Sequence, residues 1–259
     1  MADLELPDAV FHADGDRFVP TDLARGPWDP NAQHGGAPAA LLAHLVERFE
    51  PSATQVARLT IELLRPVPLV PLRVETHLIR PGKKVQLVGA SLLADDTEVV
   101  RASAWRIRTA DVPYPPAPDE RLVPGPDTTP ETFEMEYVSF GRAMDVIRSQ
   151  GVFGVPGPAA VWFRLRRPVI AGEETSPLMR VAAAADFGNG ISGVVTWDEH
   201  LFINPDLTIA LHRHPVGEWI GLDAVTWPSD AGVGVAEAAL YDADGRIGRS
   251  VQTLLLDRR

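Results

Sequence analysis

The sequence predicts an α+β protein made of two related halves, each a single helix followed by a run of antiparallel strands, and three observations carry that prediction. The first is an internal repeat. Leu59-Thr60-Ile61-Glu62-Leu63-Leu64-Arg65 ahead of Pro66-Val67 is matched 148 residues later by Leu207-Thr208-Ile209-Ala210-Leu211-His212-Arg213 ahead of Pro215-Val216. At the same spacing Val99-Val100-Arg101-Ala102 falls on Ile247-Gly248-Arg249-Ser250, each just after an acidic turn. One spacing over two segments points to duplication, where either segment alone would persuade little. The second observation is proline: 7 of the 24 prolines fall between Asp111 and Pro130, where neither a helix nor a central strand survives them. That stretch reads as a linker between an N-terminal unit, 1–110, and a C-terminal unit, 131–259, each of ordinary domain size. The third is the order of elements, helix first and strands after, which is an α+β layout rather than alternating βαβ units.

The elements follow in order. Gly35 and Gly36 open Ala37-Pro38-Ala39-Ala40-Leu41-Leu42-Ala43-His44-Leu45-Val46-Glu47-Arg48-Phe49, a helix apolar enough to be covered on most sides, with Pro38 in its first turn where a missing N–H costs little. Residues 73–80, the turn Pro81-Gly82 and residues 83–88 read as a hairpin, and Glu98 to Ile107 as a third strand. In the second half Ser176 and Pro177 form an N-cap and first-turn pair ahead of Leu178-Met179-Arg180-Val181-Ala182-Ala183-Ala184-Ala185, closed by Gly188 and Asn189-Gly190. Both helices are rich in small residues, which suits a helix wrapped closely by a curved sheet.

Charge and composition narrow the function. The 24 basic residues against 35 acidic ones give a formal charge of −11, a field that repels phosphate backbones, so a general nucleic-acid binder is not expected. Cysteine is absent, which removes disulfide scaffolds, thiolate metal sites and Cys nucleophiles and makes a reducing cytoplasm the expected compartment. The acidic MADLELPDAV start lacks the apolar run of a signal peptide, and no apolar stretch approaches the roughly 20 residues of a membrane helix. Several apparent motifs carry no chemistry. Asp186-Phe187-Gly188 spells a kinase tripeptide without the Gly-rich loop, strand lysine or HRD segment that would accompany it; Gly232-Val233-Gly234 lacks a third Gly and a following helix; and no G-x-S-x-G elbow occurs. His212-Arg213-His214 puts two imidazoles on one strand face, but no third ligand is spaced for zinc, and no metal or cofactor is expected.

Three segments together resemble the double-hotdog acyl-CoA thioesterases, the type II family of bacteria and its actinobacterial branch: NAQHGGAPAALL (Asn31 to Leu42), FINPDLTIALHRHPVGEW (Phe202 to Trp219) and ALYDADGRIGRSVQTLLL (Ala239 to Leu256). A hotdog is an antiparallel sheet wrapped around a central helix, so the resemblance implies two tandem hotdog repeats. It further implies hydrolysis of an acyl-CoA to free acid and CoA by an activated water, with acyl-CoA as the partner and association of such protomers into homo-oligomers as a further expectation. The family's water-activating trio is an Asp, a Ser or Thr and a Gln in the second half. Carried onto this sequence these are Asp206, seven residues before Arg213; Thr226, with Ser229 in reserve because Trp227-Pro228-Ser229 interrupts the family's usual run; and Gln252 in the last strand.

Such chemistry needs a base for the water, groups to orient it, and donors for the carbonyl oxygen as charge builds there. Asp206 can take the proton while Thr226 and Gln252 hold the water's other hydrogen-bonding directions. Backbone N–H groups at the start of the first helix, with His34, Gly35 and Gly36, form the expected oxyanion or carbonyl site. The residues 148 before Asp206 and Gln252 are Arg58 and Ala104, so the first half cannot assemble the same trio. Each candidate also has a plainer reading. Asp206 is equally a turn residue after Asn204-Pro205, Gln252 a strand residue, Thr226 structural and His34 a cap; Asp186, which ends the second helix, is either a site carboxylate or a helix-end group. Arg80, Lys83 and Lys84 at the hairpin tip could receive the phosphates of CoA, though an ordinary solvated turn carries cations as well. The competing functions are a non-catalytic acyl-CoA-binding hotdog protein and, more distantly, a hotdog hydratase or dehydratase, which normally places an Asp and a His a few residues apart.

Overall fold

The structure, a computed structural model, describes residues 5–50, 52–115, 117–133, 136–152 and 154–259. In the first half β1 (Phe11–Asp14) and β2 (Arg17–Pro20) precede α1 (Gly36–Arg48), which is followed by β3 (Thr54–Leu63), β4 (Leu72–Arg80), β5 (Val85–Ala94) and β6 (Thr97–Arg108). After the proline-rich stretch come β7 (Glu131–Thr132), β8 (Met144–Gln150), β9 (Ala159–Leu165), α2 (Pro177–Ala185), the single turn α3 (Gly188–Ile191), β10 (His200–Ile203), β11 (Asp206–Leu211), β12 (Ile220–Pro228), β13 (Val233–Asp242) and β14 (Gly245–Arg258). All the strands join in one sheet, β1-β2-β4-β5-β6-β3-β11-β14-β13-β12-β9-β8-β7, with β10 added beside β14. This is the α+β double hotdog: two curved antiparallel sheets made continuous where β3 meets β11.

The repeat in the sequence is the symmetry of the fold. β12 and β13 begin and end 148 residues after β4 and β5, at every one of the four boundaries. Val88 pairs with Ala104, and Ala236 with Gln252, so the hairpin register is kept at the same spacing. The two equivalent strands β3 and β11 pair with each other antiparallel, Thr60 opposite Thr208, and the Thr208 hydroxyl donates to Thr60 Oγ1 at 3.3 Å. Thr208 is the residue 148 after Thr60, so a pseudo-twofold axis passes between them. Joining the strands there satisfies backbone groups that a lone hotdog would leave on an open edge.

The helices pack against each other and on the sheets' inner faces. In α1 every residue from Gly36 to His44 is buried, which its run of Ala and Leu permits. In α2 the Ser176 hydroxyl oxygen accepts from the Met179 N–H at 3.2 Å, and the same hydroxyl donates to Glu47 Oε2 on α1 at 2.5 Å. The start of α2 therefore lies against the end of α1, and the end of α2 against the start of α1. Between Asp111 and Pro130 the described residues form no helix or strand. That segment is nonetheless seated on the second half. Leu122 packs on Trp162 and Tyr241, Pro124 O accepts from the Trp162 indole at 2.8 Å, and Glu120 accepts from the Tyr241 hydroxyl and from Arg246, both at 2.8 Å.

Three local expectations change. β5 begins at Val85, leaving Lys83 and Lys84 in a four-residue turn rather than on a strand. β11 ends at Leu211, so His212 and His214 lie in the following turn, where the His214 ring sits 3.0 Å from Val56 O on β3. Gly188 does not close α2, whose C-cap is Asp186, but opens α3, and a Cβ there would lie 2.9 Å from Gln252 Oε1.

Candidate active site

Where the end of α2 meets the start of α1, the sequence places a carboxylate. Asp186 is the C-cap of α2 and is 5 % exposed. Four elements converge on it. Asn204, between β10 and β11, donates its amide to Oδ1 at 2.9 Å. Gln252 on β14 donates to the same oxygen at 3.2 Å and to the Asp186 main-chain carbonyl at 3.3 Å, while its own Oε1 accepts the Asn189 N–H of α3 at 3.0 Å. His34 brings Nδ1 to 3.0 Å from Oδ2. The start of α1 is close enough that a Cβ on Gly35 would lie 2.7 Å from Oδ2. The carboxylate thus faces the positive end of the α1 dipole.

The two glycines are there for space. Gly35 has φ −58, a conformation open to any residue, but a side chain would strike the carboxylate. On Gly36 a Cβ would come within 2.6 Å of Phe140 Cε1 and 2.7 Å of Ala183 O on α2. Gly35 and Gly36 therefore let two helices meet around Asp186.

One nitrogen of His34 has two neighbours, Asp186 Oδ2 at 3.0 Å and the Gly36 N–H at 3.1 Å. It cannot donate to the first and accept from the second at once. With Asp186 ionised, the tautomer with the proton on Nδ1 is the one that can donate to it, and Gly36 N–H, in the first turn of a helix, then loses the one acceptor it has among the described residues.

Of the residues singled out in the sequence, His34, Gly35, Gly36 and Gln252 come together here. Asp206 does not. Leu207, Ile209 and Leu211 are buried, so strand alternation turns Asp206 to the opposite face, where its Oδ1 accepts from the N–H and hydroxyl of Thr253. Gln252, one residue before, points inward and is 1 % exposed. Thr226 is buried but stands one layer away: Ser192 donates to Gly188 O at 2.9 Å, leaving Thr226 to donate to Ser192 Oγ at 2.8 Å and brace α3. Ser229 lies in the β12–β13 turn, where its Oγ accepts from Ala231 N–H at 3.3 Å. The tip with Arg80, Lys83 and Lys84 is at the far end of the sheet. Val85 pairs with Ile107 and Thr54 with Arg108, whereas Asp206 pairs with Glu62, about 26 Å along β3 at the usual rise per residue. Arg80 donates to Val85 O at 2.9 Å and lies 5.8 Å from the Trp105 ring. Sequence spacing missed Asn204 altogether, and Asp186 stood only as an open alternative. Among the described residues no three His, Asp or Glu side chains converge as metal ligands, and no helix is long and apolar enough to cross a membrane.

A buried carboxylate fixed by two amides, next to a spare backbone donor at a helix start, is equipped to activate a water against a carbonyl carbon. Residues 24–107 match the acyl-CoA thioesterase N-terminal domain and residues 115–256 the acyl-CoA thioesterase C-terminal domain. Solved structures share the fold. A hotdog-fold protein of unknown function from Alicyclobacillus acidocaldarius superposes with TM-score 0.75 at 15% identity, covering 96% of this chain and 97% of that one. A candidate thioesterase II from Thermobifida fusca gives 0.74 at 17%, covering 97% and 96%. The acyl-CoA thioesterase II TesB2 of Mycobacterium marinum gives 0.63 at 14%, covering 92% and 96%. A search of the curated proteins found no match. With both of its halves matched by the family's two domains, this chain belongs to the acyl-CoA thioesterases.

Proposed function

We propose that the acyl-CoA thioester hydrolysis of this family is carried out here at Asp186, oriented by Asn204 and Gln252, with the start of α1 as the oxyanion site. The observation that supports this most is the convergence of Asn204, Gln252 and His34 on one carboxylate that is 5 % exposed. Both amides donate to Oδ1, so Oδ2 has His34 and one lone pair left for a water. Asp186 takes a proton from that water as the oxygen bonds to the thioester carbon. The carbonyl π electrons move to oxygen, where Gly36 N–H, released by the His34 tautomer, meets the developing charge. Collapse breaks the C–S bond, and the proton on Asp186 passes to the leaving CoA thiolate. One water and one thioester give one acid and one thiol.

The site draws His34, Gly35 and Gly36 from the first half and Asp186, Asn204 and Gln252 from the second, which makes it single and asymmetric. Asp206 and Thr226 take supporting roles in this reading, fixing β14 and α3. The test is a single turnover with enzyme in excess in ¹⁸O-water. Direct attack places one label in the product acid and none in Asp186. Label in the Asp186 carboxyl would mean an anhydride with the enzyme, and would overturn the role as base.

A further inference from the structure

Asn204 reaches Asp186 from a break in the sheet. β10 pairs with Leu255 to Arg258 of β14, and β11 with Gly248 to Val251, so Asn204, between β10 and β11, belongs to neither ladder. After Asn204 the chain is tied to the sheet: Pro205 O accepts from the Leu63 N–H at 2.7 Å, and the Asp206 carboxylate accepts from Thr253. Before it the tie is Phe202. The Phe202 ring stands 4.8 Å from Trp28 and 4.5 Å from Trp197, and its main-chain carbonyl accepts from the Asn189 side-chain amide at 3.3 Å.

Asn189 is 7 % exposed and stands in α3, three residues after Asp186. It donates in two directions. Its N–H goes to Gln252 Oε1 at 3.0 Å, and because a main-chain N–H only donates, this turns the NH₂ of Gln252 toward Asp186. Its side-chain NH₂ goes to the Phe202 carbonyl, two residues before Asn204. The turn that carries it is itself fixed, since the Ser192 hydroxyl donates to Gly188 O at 2.9 Å and Thr226 bonds Ser192 in turn. Asn189 therefore touches both of the segments whose amides hold Asp186 Oδ1. In the sequence Asn189-Gly190 reads only as a helix stop.

We infer that Asn189 is a positioning residue for the hydrolysis, setting the Asn204 amide on Asp186 through the Phe202 carbonyl. This rests on Asp186 as the reacting centre. The bond to Gln252 comes from the main chain and survives replacement of the side chain, so the side chain's own effect runs through Phe202 and Asn204. Without it the Phe202 carbonyl loses a buried donor, and Asn204 is tied by hydrogen bonds on its Pro205 side alone. Misplacing a reacting group by 1 Å costs about 10²-fold in rate, and loosening one of its two amides should cost about tenfold.

The experiment is a mutant cycle in thiol release from butyryl-CoA. Asn189→Ala should lower kcat about tenfold with KM within about twofold of native, because the residue acts on the base and not on the substrate. In an Asn204→Ala background the same change should cost less than about twofold more. Losses that multiply in that background, a loss masked by Gln252→Ala instead, or native kcat in Asn189→Ala each overturn the inference. A merely structural role would lower the urea midpoint and the yield of active protein and would act equally in both backgrounds. Should Asn189→Ala fail to fold, Asn189→Ser, whose hydroxyl is too short to reach Phe202, carries the same expectations. Full hydrolysis by Asp186→Asn would refute the Asp186 reading and the inference with it, whereas native kcat in Asn189→Ala beside an inactive Asp186→Asn refutes the inference alone.

Discussion

Gly35→Ala separates the two jobs of the glycine pair. The backbone at Gly35 accepts alanine without strain, since its φ is −58. The new Cβ, however, would stand 2.7 Å from Asp186 Oδ2, 2.9 Å from Oδ1 and 3.0 Å from Cγ. Contacts under about 3 Å are not tolerated, so the carboxylate must withdraw by several tenths of an ångström. Three hydrogen-bonding partners hold it where it is, and at least one of them must lengthen. A displacement approaching 1 Å at a reacting group costs about 10²-fold in rate. Because the clash is with a side chain and Gly35 is the N-cap of α1, where Ala is less favourable than Gly, stability should fall by about 1 kcal/mol. Gly36→Ala should cost more stability. Its Cβ meets the backbone carbonyl of Ala183 at 2.7 Å, which no rotamer change relieves, so overpacking should cost about 1–3 kcal/mol of stability along with activity. The assay is thiol release from butyryl-CoA alongside denaturant unfolding. Native kcat in Gly35→Ala would refute the close packing of α1 on the carboxylate as a condition of turnover.

Three further outcomes follow from the structure. Asp242 is 1 % exposed and accepts two hydrogen bonds from Arg213; burial pulls its carboxyl up, but Arg213 and the N–H groups of Val216 and Asp244 more than offset this and hold it below its ordinary value. Asp242→Ala should therefore cost about 3 kcal/mol in urea unfolding, the low end for a broken buried pair because Arg213 is partly solvated, and a loss under 1 kcal/mol would contradict this. The Tyr241 hydroxyl is pushed up to about 12, chiefly by burial and then by its bond to Glu120, so its stabilising contribution is complete below about pH 10 and is lost as the pH rises toward 12. Urea midpoints should fall across that window in the native chain and less in Tyr241→Phe; equal slopes would show that the linker seat is not what titrates. Since His34, Asp186 and Gln252 meet within one chain, mixing Asp186→Asn with Gln252→Ala protein should restore no activity, and recovery on mixing would mean that sites are shared between chains.

The strands were readable because a repeat preserves register. The spacing seen in LTIELLR and LTIALHR holds where β3 to β6 pair and where β11 to β14 pair, and alternation along Leu207, Ile209 and Leu211 turns Asp206 outward. The distance of Asp206 from Arg213 carries no information about the face on which its side chain lies. The residues proposed to react were harder because they lie where the repeat lapses. α2 starts 141 residues after α1 rather than 148, and the loops that carry His34, Asp186 and Asn204 have no counterpart at the strand spacing. A site assembled between two halves, from helix ends that differ in each, leaves no periodic trace. One signal was present: Asp186 ends a run of alanines that are all buried, and a carboxylate there needs partners. The small β7 and the short β10 carried no pattern strong enough to mark them as strands.

The account turns on which aspartate reacts, and thiol release by Asp186→Asn and Asp206→Asn, measured side by side with acyl-CoA Kd, decides it. Asp186→Asn should lose at least about 10²-fold in kcat with Kd little changed, as expected for removing a general base, whereas Asp206→Asn should stay within about threefold of native. The opposite order, with Asp186→Asn near native and Asp206→Asn inactive but folded, would contradict the account.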